Sequence, residues 1–195
     1  IPQASEIATA QTTILYYDDG VTELARLGDA NRVSVEFSQI PVVMQQAMLA
    51  AEDRDFYKHG GFSIKGISRA IYKNVIGAAG AGGGSTITQQ YAKNAYLTQE
   101  RTLTRKAKEL ILSIKLETLV SKDQILADYM NTIYFGRNAY GVESAATQYF
   151  GKQALDLDLA ESAFLAAIVQ APNGLSPEEN LSGLDQRWNY VLAGM

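Results

Sequence analysis

The sequence predicts a mostly α-helical fold with a short β-hairpin at its N-terminal end. Beyond about residue 40, apolar residues recur at helical spacing, and several of these segments begin at a proline or at a capping residue. Before residue 30, β-branched and aromatic residues flank an Asp19-Gly20 turn pair. No internal repeat is visible, and 195 residues suit one domain, or one domain with a small lobe.

The composition excludes several classes of protein. Apolar residues make up 47% of the chain and charged residues 19%, which excludes wholesale disorder. The net charge of −4 provides no global positive field for nucleic acid. The absence of cysteine excludes disulfides, thiolate zinc sites and cysteine nucleophiles. No apolar run of 18 residues and no signal peptide is visible, and because the chain begins at Ile1, we expect an excised piece whose targeting segment lies upstream.

The predicted elements follow in chain order. The hairpin strands cover residues 12–17 and 21–27. The predicted helices cover about residues 41–52, 63–76, 86–95, 104–120, 121–131, 141–149 and 158–171, with a last helix from about residue 185. Pro41 suits a first helical position, and Ser85 can cap the third helix. Residues 77–84 are too rich in glycine to hold one conformation, so we expect a mobile loop there.

Glu52 is the first candidate for chemistry. The preceding segment 42–51 is apolar almost all round, which predicts a buried helix. Glu52 continues a buried stripe through Met48 and Leu49, and it lies at the helix C-terminus, where the dipole disfavours negative charge. Both effects disfavour the ionised carboxylate, which suits a general base working near neutral pH. The alternative is that Glu52 simply pairs with Arg54 or another cation.

The glycine-rich loop and the helix start after it predict an anion site. No lysine precedes Ser85 and no strand leads into the loop, so neither a P-loop nor a dinucleotide fingerprint fits. What remains is a helix N-terminus whose backbone N–H groups attract anions. Gln89 and Lys93 share a face of that helix.

A basic stripe follows the same helix. Its cations are Arg101, Arg105 and Lys108. Together with Lys93 they would suit a pyrophosphate leaving group. The alternative for Arg105 is a surface ion pair with Glu109, worth only about 0.3–0.5 kcal/mol.

Two further features carry weaker predictions. His59 is the only histidine, and a hydrogen-bonded structural role is favoured over a metal site. The segment 63–76 places isoleucines on one face and Lys65, Arg69 and Lys73 on another. It can lie in a membrane interface or pack as an ordinary surface helix, and the residues alone leave both open.

Five ordered segments carry a family resemblance. They are EDRDFYKHGGF at 52–62, GGSTITQQYAKN at 83–94, RKAKE at 105–109, YMNTIYFG at 129–136 and AESAFLAAIVQAP at 160–172, with Arg187 and Met195 near the end. They resemble the motifs of the peptidoglycan glycosyltransferases of family 51. That family comprises the transglycosylase domains of class A penicillin-binding proteins and the monofunctional glycosyltransferases.

The resemblance implies a fold and an activity. The fold would be lysozyme-like over 1–195, with a β appendage and linker at about 1–38 and a membrane-associated lobe with a mobile loop at about 62–84. The activity would be polymerisation of lipid II into β-1,4-linked glycan, with inversion and release of undecaprenyl diphosphate. It also implies binding to the outer leaflet of the cytoplasmic membrane, an N-terminal transmembrane anchor outside this chain, and contact with the cell-wall synthesis machinery.

The resemblance also implies roles for individual residues. Glu52 matches the general base that deprotonates the acceptor 4-hydroxyl, and Glu109 matches a second essential glutamate on the donor's pyrophosphate side. The residues implied to bind substrate or pyrophosphate are Ser85, Gln89, Gln90, Lys93, Arg101, Arg105 and Lys108. No cofactor is implied as a requirement and no metal ligand is assigned, although Mg or Mn near the donor pyrophosphate would fit the family.

Some points depart from the family or stay open. Ser63 stands where the family commonly has aspartate, and Asp128 where it commonly has glutamate. No serine has a lysine three residues on, so this chain should not bind β-lactams, and whether a C-terminal transpeptidase domain follows in the parent chain stays open. The rival interpretations are a lysozyme-type hydrolase and a non-catalytic membrane-surface module, while nucleic-acid binding is disfavoured by charge.

Overall fold

The computed structural model describes residues 13–16, 23–27, 31–62, 84–97 and 102–195, and most of these residues are helical. In chain order the described α-helices are α1 (Val42–Glu52), α2 (Ile87–Tyr96), α3 (Leu103–Leu119), α4 (Lys122–Thr132), α5 (Val142–Phe150), α6 (Leu159–Ile168) and α7 (Leu181–Leu192). Short 3-10 helices cover Phe37–Gln39, Phe56–Lys58 and Ala154–Asp156. The predicted mostly helical class is therefore confirmed.

The helix boundaries agree with the sequence except at four points. Pro41 is the N-cap of α1 rather than its first residue, and α6 ends at Ile168 rather than just before Pro172. The N-cap of α2 is Thr86 and not Ser85, because the Thr86 hydroxyl accepts from the Gln89 N–H and the Gln89 side chain accepts from the Thr86 N–H. Helix α7 begins at Leu181, earlier than predicted, because the Asn180 side chain caps it by accepting from the Gly183 N–H. The helix predicted at 63–76 and most of the loop predicted at 77–84 lie outside the described residues.

Two small strand pairs accompany the helices. Strand β1 (Thr13–Tyr16) pairs antiparallel with β2 (Glu23–Leu27), and the predicted Asp19-Gly20 turn lies outside the described residues. Strand β3 (Asn31–Arg32) pairs in parallel with β4 (Ala139–Tyr140), which the sequence did not predict. The amide of Asn131 extends this attachment, since it accepts from the Val35 N–H at 3.0 Å and donates to the Val35 carbonyl at 2.9 Å.

Packing in the hydrophobic core fixes the positions of α1 and α2. Helix α1 packs against α6 and α7, while α2 packs against α3 and α4. Met44, Ala47 and Met48 of α1 are fully buried, as the almost continuous apolar run predicted. Burying one such methionine stabilises the fold by about 1.5–3 kcal/mol, so the C-terminus of α1 is firmly held inside the molecule. Among the described helices none is long and apolar enough to cross a membrane.

Candidate active site

Glu52 is the last residue of α1, and its carboxylate is held on both oxygens. Gln90 Nε2 donates to Oε2 at 2.9 Å, and Arg187 Nη2 donates to Oε1 at 3.1 Å. The Glu52 side chain keeps 12% of its surface exposed and that of Arg187 keeps 13%. The carboxylate is thus largely buried and fixed in direction, and a small part of the side chain stays exposed.

The partner of Glu52 is a cation that the spacing around it did not reveal. Arg187 lies 135 positions away on α7, and it also donates to the Ala51 carbonyl at 2.7 Å. The alternative from the sequence, a pair with Arg54 or another cation, is confirmed for another cation and not for Arg54. Arg54 Nε donates instead to the Ala50 carbonyl at 3.1 Å. A signal for Arg187 does exist, since it lies three residues after buried Leu184 and four before buried Val191, on the apolar stripe of its helix.

The Asp53 carboxylate lies at the N-terminus of α2. Its carboxylate accepts from the Ile87 N–H at 3.2 Å and from His59 Nε2 at 2.9 Å. His59 is therefore a hydrogen-bonded structural histidine, as the sequence favoured. At this helix N-terminus the Ile87 N–H already donates to a carboxylate of the chain itself. The anion site expected there from the glycine loop stays a prediction.

Gln89 and Gln90 are adjacent but serve different neighbours. Gln89 is 3% exposed and its side chain belongs to the capping pair with Thr86. Gln90 reaches Glu52 with its amide nitrogen, and its carbonyl accepts from the Tyr129 hydroxyl at 2.9 Å. Both side chains are engaged within the protein, and their predicted contacts with substrate stay predictions.

Glu109 is a buried carboxylate held by two cations, of which Lys106 stays exposed. Its side chain is 2% exposed and accepts from Arg105 and Lys106, one cation on each oxygen. Lys106 also donates to Ser85 Oγ at 2.8 Å, which ties the end of the glycine loop to α3. The Arg105–Glu109 pair is therefore not the weak surface pair considered from the sequence, because the carboxylate is desolvated and held by two cations.

Lys93 and Lys108 have looser surroundings than Arg105. Lys93 on α2 is partly buried and Lys108 on α3 is exposed, and within the described residues neither side chain has a recorded hydrogen bond or ion pair. Arg101 lies outside the described residues. Lys106, for which the sequence predicted no role, is the lysine that contacts Glu109 and Ser85.

The start of α2 connects the two glutamates. Ser85, next to the N-cap, contacts the Glu109 cluster through Lys106. Gln90, one helical turn beyond the N-cap Thr86, contacts Glu52. A carboxylate with partial exposure and a cluster with one excess positive charge therefore flank the same helical turn. This arrangement can accept a proton on one side and stabilise an anionic group on the other.

The described residues around Glu109 offer poor ligands for a metal ion. Across the described ranges, no group of three or more histidine, aspartate or glutamate side chains could hold a metal ion. Glu109 is the acidic residue of the cationic side, and both of its oxygens already accept from Arg105 and Lys106. A carboxylate neutralised in this way is a poor ligand for Mg or Mn, which prefer several anionic or carbonyl oxygens.

Comparison with known proteins places this arrangement in a family. The Transglycosylase family model matches residues 20–195. Penicillin-binding protein 1A of Mycolicibacterium smegmatis is 48% identical over the whole of this chain, which covers 26% of that protein, and its counterpart in Mycobacterium tuberculosis is 44% identical, with 24% covered. Penicillin-binding protein 1F of Bacillus subtilis is 44% identical over 91% of this chain and 25% of that protein.

A solved structure gives a more distant match. The crystal structure of penicillin-binding protein 1A from Haemophilus influenzae aligns with 95% of this chain and 18% of that chain, at 21% identity and a TM-score of 0.45. The present chain spans about a quarter of the length of the curated relatives named above.

By the family model and the sequence relatives, this helical domain is a glycosyltransferase. The chain belongs to the transglycosylase family found in class A penicillin-binding proteins.

Proposed function

We propose that this domain polymerises lipid II into β-1,4-linked glycan strands, with Glu52 as the general base. The family and its penicillin-binding relatives support peptidoglycan glycosyl transfer in general. The partial exposure of Glu52, between the donors Gln90 and Arg187, supports its particular role.

In the proposed step, the 4-hydroxyl of the incoming lipid II attacks the anomeric carbon of the growing strand. Glu52 accepts the hydroxyl proton while the new carbon–oxygen bond forms. The bond from the anomeric carbon to the pyrophosphate oxygen breaks, and undecaprenyl diphosphate leaves with the electron pair. Because attack and departure occur on opposite faces, the anomeric centre inverts and the new linkage is β.

The cationic side of the site serves the leaving group. The excess positive charge of the cluster formed by Arg105, Lys106 and Glu109 would stabilise the developing charge on the pyrophosphate. Lys93, Lys108, Arg101 and Ser85 would contribute further contacts, as the resemblance implies. Glu109 in this scheme orients two cations rather than a metal ion, so the transfer needs no metal bound by this carboxylate.

The same proposal places the domain in the cell. Its substrate is a membrane lipid, so we place the domain at the outer face of the cytoplasmic membrane, held by an N-terminal transmembrane anchor and by a lobe at about 62–84. The parent chain would work with the cell-wall synthesis machinery, with a transpeptidase domain as an expected companion. Inhibition by the phosphoglycolipid moenomycin follows from the same site, and nucleic acid is not a partner.

The connection of both glutamates to the start of α2 is the observation that carries this proposal. The test is Glu52→Gln in the full-length protein, with Glu179→Gln, an exposed glutamate, as the matched control. Glu52→Gln should abolish formation of polymer from lipid II, while Glu179→Gln should leave it near the wild-type rate. Continued polymerisation by Glu52→Gln would remove the proposed base, and degradation of preformed glycan without synthesis would favour a lysozyme-type hydrolase.

A further inference from the structure

Tyr129 is a buried tyrosine whose hydroxyl does not face solvent. It lies on α4 with no exposed surface, and its hydroxyl donates to Gln90 Oε1 at 2.9 Å. Within the described part of the chain this is the one recorded hydrogen bond of that hydroxyl. Since Gln90 Nε2 donates to Glu52 Oε2, a continuous chain of hydrogen bonds runs from Tyr129 to Glu52.

This series of hydrogen bonds fixes the orientation of the Gln90 side-chain amide. A carboxylate can only accept hydrogen bonds, so ionised Glu52 favours the amide nitrogen on its side. Once Glu52 has taken up a proton it can donate as well, and that preference disappears. The Tyr129 hydroxyl maintains the orientation in both states, because a flipped amide would leave its buried proton without an acceptor.

The surroundings of Tyr129 keep it a donor. Burial raises the pKa of Tyr129 well above its ordinary value, and the nearby charges of Glu52 and Asp53 raise it further. The phenol therefore stays protonated at every pH at which the enzyme would work.

We propose that Tyr129 is a positioning residue for glycosyl transfer, which fixes the direction of the Glu52 carboxylate through Gln90. The inference rests on the proposed role of Glu52 as the base. Arg187 holds one carboxylate oxygen, and the pair of Gln90 and Tyr129 holds the other, so the carboxylate plane is defined from two sides. Tyr129 itself contacts no substrate in this scheme.

The test compares Tyr129→Phe with Tyr91→Phe in the full-length protein, with lipid II as substrate. Tyr91 is a matched control, because it is also buried and its hydroxyl donates to Asp128 at 3.2 Å, away from Glu52. Tyr129→Phe should lower kcat roughly tenfold with KM unchanged, because misdirection of the base affects the chemical step and not binding. Tyr91→Phe should keep kcat within about twofold of wild type at a comparable loss of thermal stability.

A double-mutant cycle with Gln90→Met separates positioning from general destabilisation. If Tyr129 acts through Gln90, Tyr129→Phe should cost nothing further in kcat once Gln90 is replaced. Independent, additive losses would overturn the proposal, as would a Tyr91→Phe loss equal to that of Tyr129→Phe. If Tyr129→Phe does not fold, Gln90→Met alone must lower kcat with KM unchanged, and wild-type kcat there overturns the inference.

Glu52→Gln, measured in parallel, distinguishes the two proposals. An inactive Glu52→Gln with a fully active Tyr129→Phe refutes only the positioning role. An active Glu52→Gln refutes the proposed base and the positioning role that depends on it.

Discussion

Arg187 of α7 and Glu52 of α1 form an ion pair at 3.1 Å across 135 positions of the sequence. The guanidinium also donates to the Ala51 carbonyl at 2.7 Å and lies over the Tyr190 ring at 4.8 Å. The last helix thus completes the surroundings of a carboxylate that belongs to the first helix. A cation so placed holds the base in one direction and keeps its ionised form satisfied inside the protein.

Replacing Arg187 with glutamine should lower kcat for polymerisation at least tenfold, because Glu52 then keeps only the Gln90 contact. Steady-state kinetics with lipid II provide the measurement. Arg54→Gln is the matched control, since Arg54 lies over the same Tyr190 ring at 4.6 Å but does not contact Glu52. Equal losses in the two variants would show that the effect arises from packing around Tyr190.

Replacing Lys106 with methionine should lower kcat/KM by roughly 10²-fold, because the Glu109 cluster loses one of its two cations and its link to Ser85. The same kinetic assay applies. Lys115→Met, on the same helix and exposed, should change kcat/KM by less than about twofold. Unchanged activity of Lys106→Met would exclude the cluster from leaving-group stabilisation.

Gly61→Ala should destabilise the domain by at least about 2 kcal/mol, whereas Gly60→Ala should be nearly neutral. Gly61 has a φ of +77°, and a Cβ there would lie 2.8 Å from the Ser113 carbonyl oxygen, a backbone atom of α3. A Cβ at Gly60 meets nothing within 4 Å. Thermal unfolding should show a fall in Tm of roughly 4–8 °C for Gly61→Ala alone. Similar Tm values for the two variants would contradict the close approach of Gly61 to α3.

Asp128→Asn should change stability in a pH-dependent way. Burial raises the pKa of Asp128, although hydrogen bonds from Gln124 and Tyr91 oppose the shift. Because the pKa of Asp128 is higher in the folded state, the protonated carboxyl favours folding. Its contribution to the stability of the wild type is complete below the unfolded-state pKa and is lost as pH rises through the folded-state pKa. The Tm of Asp128→Asn minus that of wild type should therefore be larger at pH 7 than at pH 4. Exposed Asp156→Asn should show no such trend, and a pH-independent difference for Asp128→Asn would contradict the effect of burial.

Local patterns predicted much of what the structure contains. The apolar run before Glu52 predicted a buried helix that ends at a partly buried carboxylate, because helical periodicity alone decides which positions face a core. The helix boundaries followed from capping chemistry, which acts over three or four residues. The displaced cap at Thr86 shows the limit of that reasoning, since Ser85 and Thr86 are chemically similar and the hydrogen bond from Thr86 Oγ1 to the Gly61 carbonyl favours Thr86.

The sequence by itself determined the helical class, the candidate glutamates and the family motifs, because these depend on residue type and short spacing. Only the tertiary structure decided which groups surround each glutamate. Arg187 contacts Glu52 from 135 positions away, and Tyr129 contacts Gln90 from 39 positions away. Asp53 accepts from the Ile87 N–H at the start of α2, 34 positions away. Such contacts depend on helix packing, and helix packing depends on side chains that are far apart in the sequence. The spacing of residues within one segment therefore does not predict them.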